Sequence, residues 1–69
     1  MTDLLFHLVY LTTSQAIMIK DAIPGVEIKE VSPGEYAIDR HGASKALRAA
    51  MAMDDRKLES ALRSANINP

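Results

Sequence analysis

The stretch His41–Asn68, HGASKALRAAMAMDDRKLESALRSANIN, decides how the chain is organised. Ser44 to Met51 and Asp55 to Ala65 are built of residues that favour helix, and Ala52-Met53-Asp54 between them reads as a short break. Leu47, Met51, Met53, Leu58, Ala61 and Leu62 are spaced so that two short helices crossing at a steep angle bury all six. Ser44 is then expected to open the first helix, and Met53 to plug the gap between the two. Asp54 is expected to cap the second, with Asp55 adding favourable charge to its first turn. Leu58, Ala61 and Leu62 point inward, which leaves Arg56, Lys57, Glu59, Ser60, Arg63 and Ser64 outward. The competing possibility is one helix, whole or broken, over residues 43–65 that covers a small sheet. Leu47, Met51, Leu58, Leu62 and Ala65 fall on one helical stripe that would serve it.

Upstream of this stretch, Arg40-His41-Gly42 reads as a short joint. Before it, Val26-Glu27-Ile28-Lys29-Glu30-Val31 alternates apolar and charged residues, the period of a half-exposed strand. Ser32-Pro33-Gly34-Glu35 is a turn in which proline sets the first bend and glycine supplies positive φ, and Tyr36-Ala37-Ile38 resumes as a strand. Further back, Gln15 to Ile23 reads as a helix capped by Thr13 or Ser14, with Ala16, Ile19 and Ile23 at helical spacing and Ile17, Met18 and Ala22 widening the stripe. Lys20 and Asp21 take its polar side, and Pro24-Gly25 ends it. The first apolar run, Leu4 to Leu11, is apolar on both alternating faces: Leu4, Phe6, Leu8 and Tyr10 on one, Leu5, His7, Val9 and Leu11 on the other. A strand buried on both sides, or one that closes a dimer, fits that pattern, with a helix as the alternative. The fold class expected is α+β, β-α-β-β followed by a C-terminal helix pair, in one domain spanning residues 1–69.

With 69 residues, 48% of them hydrophobic and 25% charged, the chain has enough apolar content to fold but lies near the lower size for one self-sufficient core. A homodimer is therefore expected. There is no cysteine, which excludes disulfides, thiolate zinc sites and iron–sulfur clusters and fits a cytoplasmic protein. The run Leu4–Leu11 is too short to span a bilayer, which takes about 20 residues. Asp3 stands where a signal peptide would be basic, so a soluble, unprocessed chain is expected. The net charge of −1 is unevenly spread. Residues 1–39 carry Lys20 and Lys29 against six carboxylates, whereas residues 40–69 carry Arg40, Lys45, Arg48, Arg56, Lys57 and Arg63 against Asp54, Asp55 and Glu59. An acidic half joined to a basic half is the asymmetry expected when one face meets a polyanion.

The layout of the basic half is that of a helix-turn-helix, whose second helix can be laid into a DNA major groove. GASKALRAAMAMDDRKLESAL resembles the helix-turn-helix of small phage Cro and repressor proteins, and the tail LRSANIN is similar to the end of Fis-type DNA-binding domains. Together the resemblances cover roughly residues 40–68. Two positions depart from the pattern: Ala52 stands where those families place the glycine of the turn, and Arg48 where they place a small residue. Arg48 fits only if its guanidinium snorkels outward. Cro-like proteins also carry their strands after the helix pair, whereas here the strands come first. A second resemblance, of IKDAIPGVEIKEVSPGEYAID and DRKLESALRSANI, is to small ferredoxin-like heavy-metal-binding domains. The metal loop would fall before Ile17, at Thr12-Thr13-Ser14-Gln15, which has no thiolate, so only the topology carries over.

The function expected is a small DNA-binding transcriptional regulator, phage-like in size. Arg56, Lys57 and Ser60 are the candidates for base edges, and Lys45, Arg48 and Arg63 for phosphates. The alternative is a non-enzymatic interaction module, such as a phage-encoded inhibitor or adaptor, that binds a host protein. No cofactor or metal site is expected. His7 and His41 flank no second ligand, no general base stands at motif spacing from a serine or tyrosine, and Gly25, Gly34 and Gly42 are isolated. Met51 and Met53 are expected to be core filler.

Overall fold

The computed structural model describes residues 6–69. The elements follow in the order β1 (Phe6–Tyr10), α1 (Thr13–Ala22), β2 (Ile28–Ser32), β3 (Glu35–Asp39), α2 (Arg40–Ala52) and α3 (Arg56–Ser64). This is an α+β fold with a three-stranded antiparallel sheet in the order β1-β3-β2 and two adjacent helices at the C-terminal end. Both outer strands run antiparallel to β3, so β1 and β2 are parallel to each other with β3 inserted between them, the split β-α-β arrangement.

The hairpin forms where proline and glycine place it. Gly34 has φ +79°, and the two-residue link Pro33-Gly34 joins β2 directly to β3. A register shift between Glu30 and Ser32 leaves Val31 as a bulge, so this last apolar position of β2 is exposed rather than turned inward.

Val9, Tyr36 and Ile38 form the covered face of the sheet, and they share one buried cluster with Ala16 and Ile19 of α1, Ala43, Ala46, Leu47 and Ala50 of α2, and Leu58 and Leu62 of α3. Four alanines and glycines on the buried side of α2 (Gly42, Ala43, Ala46, Ala50) let that helix lie close to its neighbours. Among the described residues, the opposite face of the sheet carries no helix. Phe6, Leu8 and Tyr10 are 45%, 58% and 74% exposed there, which corrects the expectation of a strand buried on both sides. The parts of that run at Leu4 and Leu5 lie outside the described residues.

Local chemistry moves several boundaries. Thr12, not Thr13 or Ser14, caps α1: its Oγ1 accepts from the Gln15 N–H at 3.1 Å while Gln15 Oε1 accepts from the Thr12 N–H at 2.9 Å. The apolar stripe of α1 is narrower than its sequence suggests, because Ile17 and Ala22 are exposed. Helix α2 starts at Arg40 rather than Ser44, since Asp39 Oδ2 accepts from the Gly42 N–H at 2.9 Å. The supposed joint Arg40-His41-Gly42 is therefore the helix's first turn.

Candidate nucleic-acid interface

For residues 43–65, the unbroken helix is overturned at Met53–Asp55, whereas the broken form, a helix pair covering the sheet, stands. Helix α2 ends on Met53, after which Asp54 takes the left-handed conformation, φ +56°. The Asp54 N–H donates to the Met51 carbonyl at 3.2 Å and the Asp55 N–H to the Ala50 carbonyl at 2.8 Å. These two bonds are the Schellman pattern, which closes the end of a helix by satisfying its last carbonyls. Asp55 then serves the next element at once: its Oδ1 accepts from the Leu58 N–H at 3.2 Å and caps α3. The expected cap, Asp54, instead holds the bend. Ala52 stays helical, so the turn draws its positive φ from an aspartate two residues beyond the position where the resemblance places glycine.

Helix α3 repeats the same ending. Asn66, φ +62°, donates to the Arg63 carbonyl at 3.0 Å, and the Ile67 N–H donates to the Leu62 carbonyl at 3.3 Å. Ile67 is buried in the same cluster as Leu62, and this apolar contact fixes the far end of the helix on the core. Leu58 and Leu62 anchor α3, with Ala61 and Ala65 partly buried beside them.

What remains faces outward. Residues 56, 60 and 63 fall within one side of a helix, three and four apart. Arg56, Ser60 and Arg63, with Glu59 and Ser64, line a shallow hollow along the exposed side of α3. Ser64 belongs to this group although sequence alone did not select it; its place one turn after Ser60 is the signal. The Arg56 side chain is 87% exposed, and its Nε stands 3.7 Å from Asp54 Oδ1, an arrangement in which water screens the pair. Arg63 is more constrained: its Nε donates to Glu59 Oε2 at 3.0 Å and its Nη2 to Met51 Sδ at 3.7 Å. Lys57 lies on the flank of α3, exposed. Lys45 and Arg48 are exposed on α2, one turn apart, so Arg48 meets the outward demand placed on it. Among the described residues, Lys45, Arg48 and Lys57 form no ion pair.

The structure thus gathers Arg56, Ser60 and Arg63 into one surface and leaves Lys45 and Arg48 on the neighbouring helix. Met51 and Met53 correct another expectation. Both are exposed, and the large buried side chains of the helix pair are Leu47, Leu58 and Leu62. No described helix is long and apolar enough to cross a membrane. No protein-family model, curated protein or solved structure matches the chain.

Proposed function

We propose that the chain is a small DNA-binding regulator of the phage or mobile-element type. In this proposal α3 meets the duplex, two copies act together, and the site of action is the cytoplasm. The observation that supports it is the outward side of α3. An amphipathic helix is pinned by caps and Schellman turns at both ends, and it presents Arg56, Lys57, Ser60 and Arg63 to solvent after a tight turn from α2. Arg56, Lys57 and Ser60, from the first turns, are assigned to base edges. Arg63, Lys45 and Arg48 are assigned to phosphates.

The test is fluorescence anisotropy of labelled duplex DNA at several salt concentrations. Affinity should fall steeply with salt, because each phosphate neutralised contributes about 0.9 to the slope of log K against log salt. The double variant Arg56→Ala/Lys57→Ala should abolish sequence-selective binding. Lys45→Ala should weaken binding to all sequences alike and flatten the slope by about 1. Unchanged binding in the double variant would remove α3 from the interface.

The row Phe6, Leu8 and Tyr10 favours a second reading, an interaction module that binds a host protein through the bare sheet face. Such a module would bind no duplex at any salt concentration and would retain one partner protein in a pull-down, and the interaction would be lost on Tyr10→Lys.

A further inference from the structure

The two edges of the sheet differ in kind. Strand β2 carries Lys29 and Glu30, a bulge at Val31 and Pro33 at its end, the features that keep an edge from pairing with another chain. Strand β1, FHLVY, has no formal charge at neutral histidine, no proline and no bulge against β3. Its backbone directions follow from the register. Leu11 donates to the Gly34 carbonyl at 3.0 Å, and Leu11 and Gly34 continue the β1–β3 pairing, so theirs is a hydrogen-bonded position. Such positions alternate along an antiparallel pair. Val9 and His7 therefore bond inward to β3, while the N–H and C=O groups of Phe6, Leu8 and Tyr10 point to the open edge. These are the same three residues whose side chains stand on the bare face.

We infer that this edge binds the β1 strand of a second copy, antiparallel and centred on Leu8. In that register Leu8 faces Leu8 of the second copy in a hydrogen-bonded pair, and Phe6 faces the second copy's Tyr10 in two more. Every outward N–H and C=O of Phe6, Leu8 and Tyr10 in both copies is then satisfied. Among the described residues, any other register leaves some of them unmatched. The side chains agree with the backbone: two leucines meet at the centre, and an aromatic pair forms on each side. Beside this edge, β1 and α3 enclose a shallow hollow whose helical wall is Ala61, Ser64 and Ala65, small enough for the second copy's helix to approach. The pairing also closes. The resulting six-stranded sheet ends at both margins in β2, the protected edge, so assembly stops at two copies.

This inference deepens the proposed function by naming its dimer seam, and it rests on that reading only for the purpose of the dimer. The twofold would place both α3 helices on one side of the sheet, so the DNA site would be an inverted repeat.

The test needs no DNA, so it stands apart from the fate of the DNA reading. Sedimentation equilibrium of the full chain should give twice 7.6 kDa, and Leu8→Lys, a change at an already exposed side chain, should give 7.6 kDa with an unchanged circular dichroism spectrum. The chain has no cysteine, so single cysteine variants report the register cleanly. Across the seam the two Leu8 Cα atoms would lie about 5.5 Å apart, within reach of a short bifunctional thiol crosslinker. The two Phe6 Cα atoms would lie about 14 Å apart. With such a crosslinker Leu8→Cys should form a covalent dimer and Phe6→Cys should not. A monomeric wild type, or a Leu8→Lys variant that stays dimeric, would overturn the seam. Equal crosslinking of both cysteine variants would overturn the register.

Discussion

At the scale of single residues, the bend between α2 and α3 depends on Asp54 at φ +56°. A left-handed conformation costs most L-residues roughly 1–2 kcal/mol, and aspartate tolerates it better than alanine because its short polar side chain can bond locally. Two substitutions separate backbone from charge. Asp54→Ala and Asp54→Gly both remove the carboxylate near Arg56, an exposed pair that contributes little to stability. Only alanine keeps a Cβ in the strained position. Urea titration should show Asp54→Ala destabilised by about 1 kcal/mol and Asp54→Gly equal to or slightly more stable than the parent. Equal losses in both would assign the stabilisation to the carboxylate instead. The sequence made a bend here legible, through the interrupted helical pattern, and placed it within one residue of the observed break at Met53–Asp55. Ala52 aligns with a glycine in a resembled motif, yet alanine is the strongest helix former and simply extends α2. The aspartates after it supply both the left-handed residue and the next cap.

At the scale of elements, the start of α2 is held by a contact that no local pattern announces. Asp39 closes β3, caps α2 through the Gly42 N–H at 2.9 Å, and accepts from the Glu27 N–H at 2.9 Å with its other oxygen. One carboxylate thus joins the approach to β2, the end of β3 and the first turn of α2. Asp39→Ala should cost about 1–2 kcal/mol, the range for losing a helix cap. Asp39→Asn should retain part of it, because only one of its two side-chain atoms can accept. Gly42 lies inside the same clamp. A Cβ there would collide with Val26 Cγ2 and stand 2.6 Å from Asp39 Oδ1. Alanine gains about 1 kcal/mol over glycine within a helix, whereas overpacking costs roughly 1–3 kcal/mol. The clash is with a β-branched side chain and with the carboxylate itself, so the penalty should win. Gly42→Ala should lower stability, and adding Val26→Ala should recover part of the loss. The hairpin and α1 were readable because their determinants are neighbours in sequence: Pro33-Gly34 for one, Thr12 with Gln15 for the other. Sequence alone starts α2 at Ser44 because Arg40-His41-Gly42 reads as a joint, whereas Gly42 is a point of close approach within the helix's first turn.

At the scale of the whole molecule, alternation marked β1 as a strand but could not say which face the helices take, since both are apolar. Leu11, Val9 and the half-buried His7 are on the covered side because Val9 pairs with Tyr36 and His7 with Ile38, the buried positions of the central strand. The exposed row left on the other side follows from that register. The candidate site was legible as a basic, amphipathic last helix; the exposure of Met51 and Met53 was not, because apolar character alone does not reveal that a turn carries its residues outward. A chain this short has little core to spare, and pairing through β1 would couple its folding to association. For a dimer that unfolds to two chains, a tenfold rise in concentration contributes about 1.4 kcal/mol to the folded state. With the unfolding entropy expected of two small domains, that corresponds to roughly 3–6 °C in Tm. Calorimetry over two decades of concentration should therefore show Tm rising by about this increment per decade in the parent chain. The Leu8→Lys chain should melt at one lower temperature at every concentration, since its folding would no longer depend on a partner. A parent Tm that does not move with concentration would mean that the 69-residue chain folds alone, and the row Phe6, Leu8 and Tyr10 would then be free for a different protein.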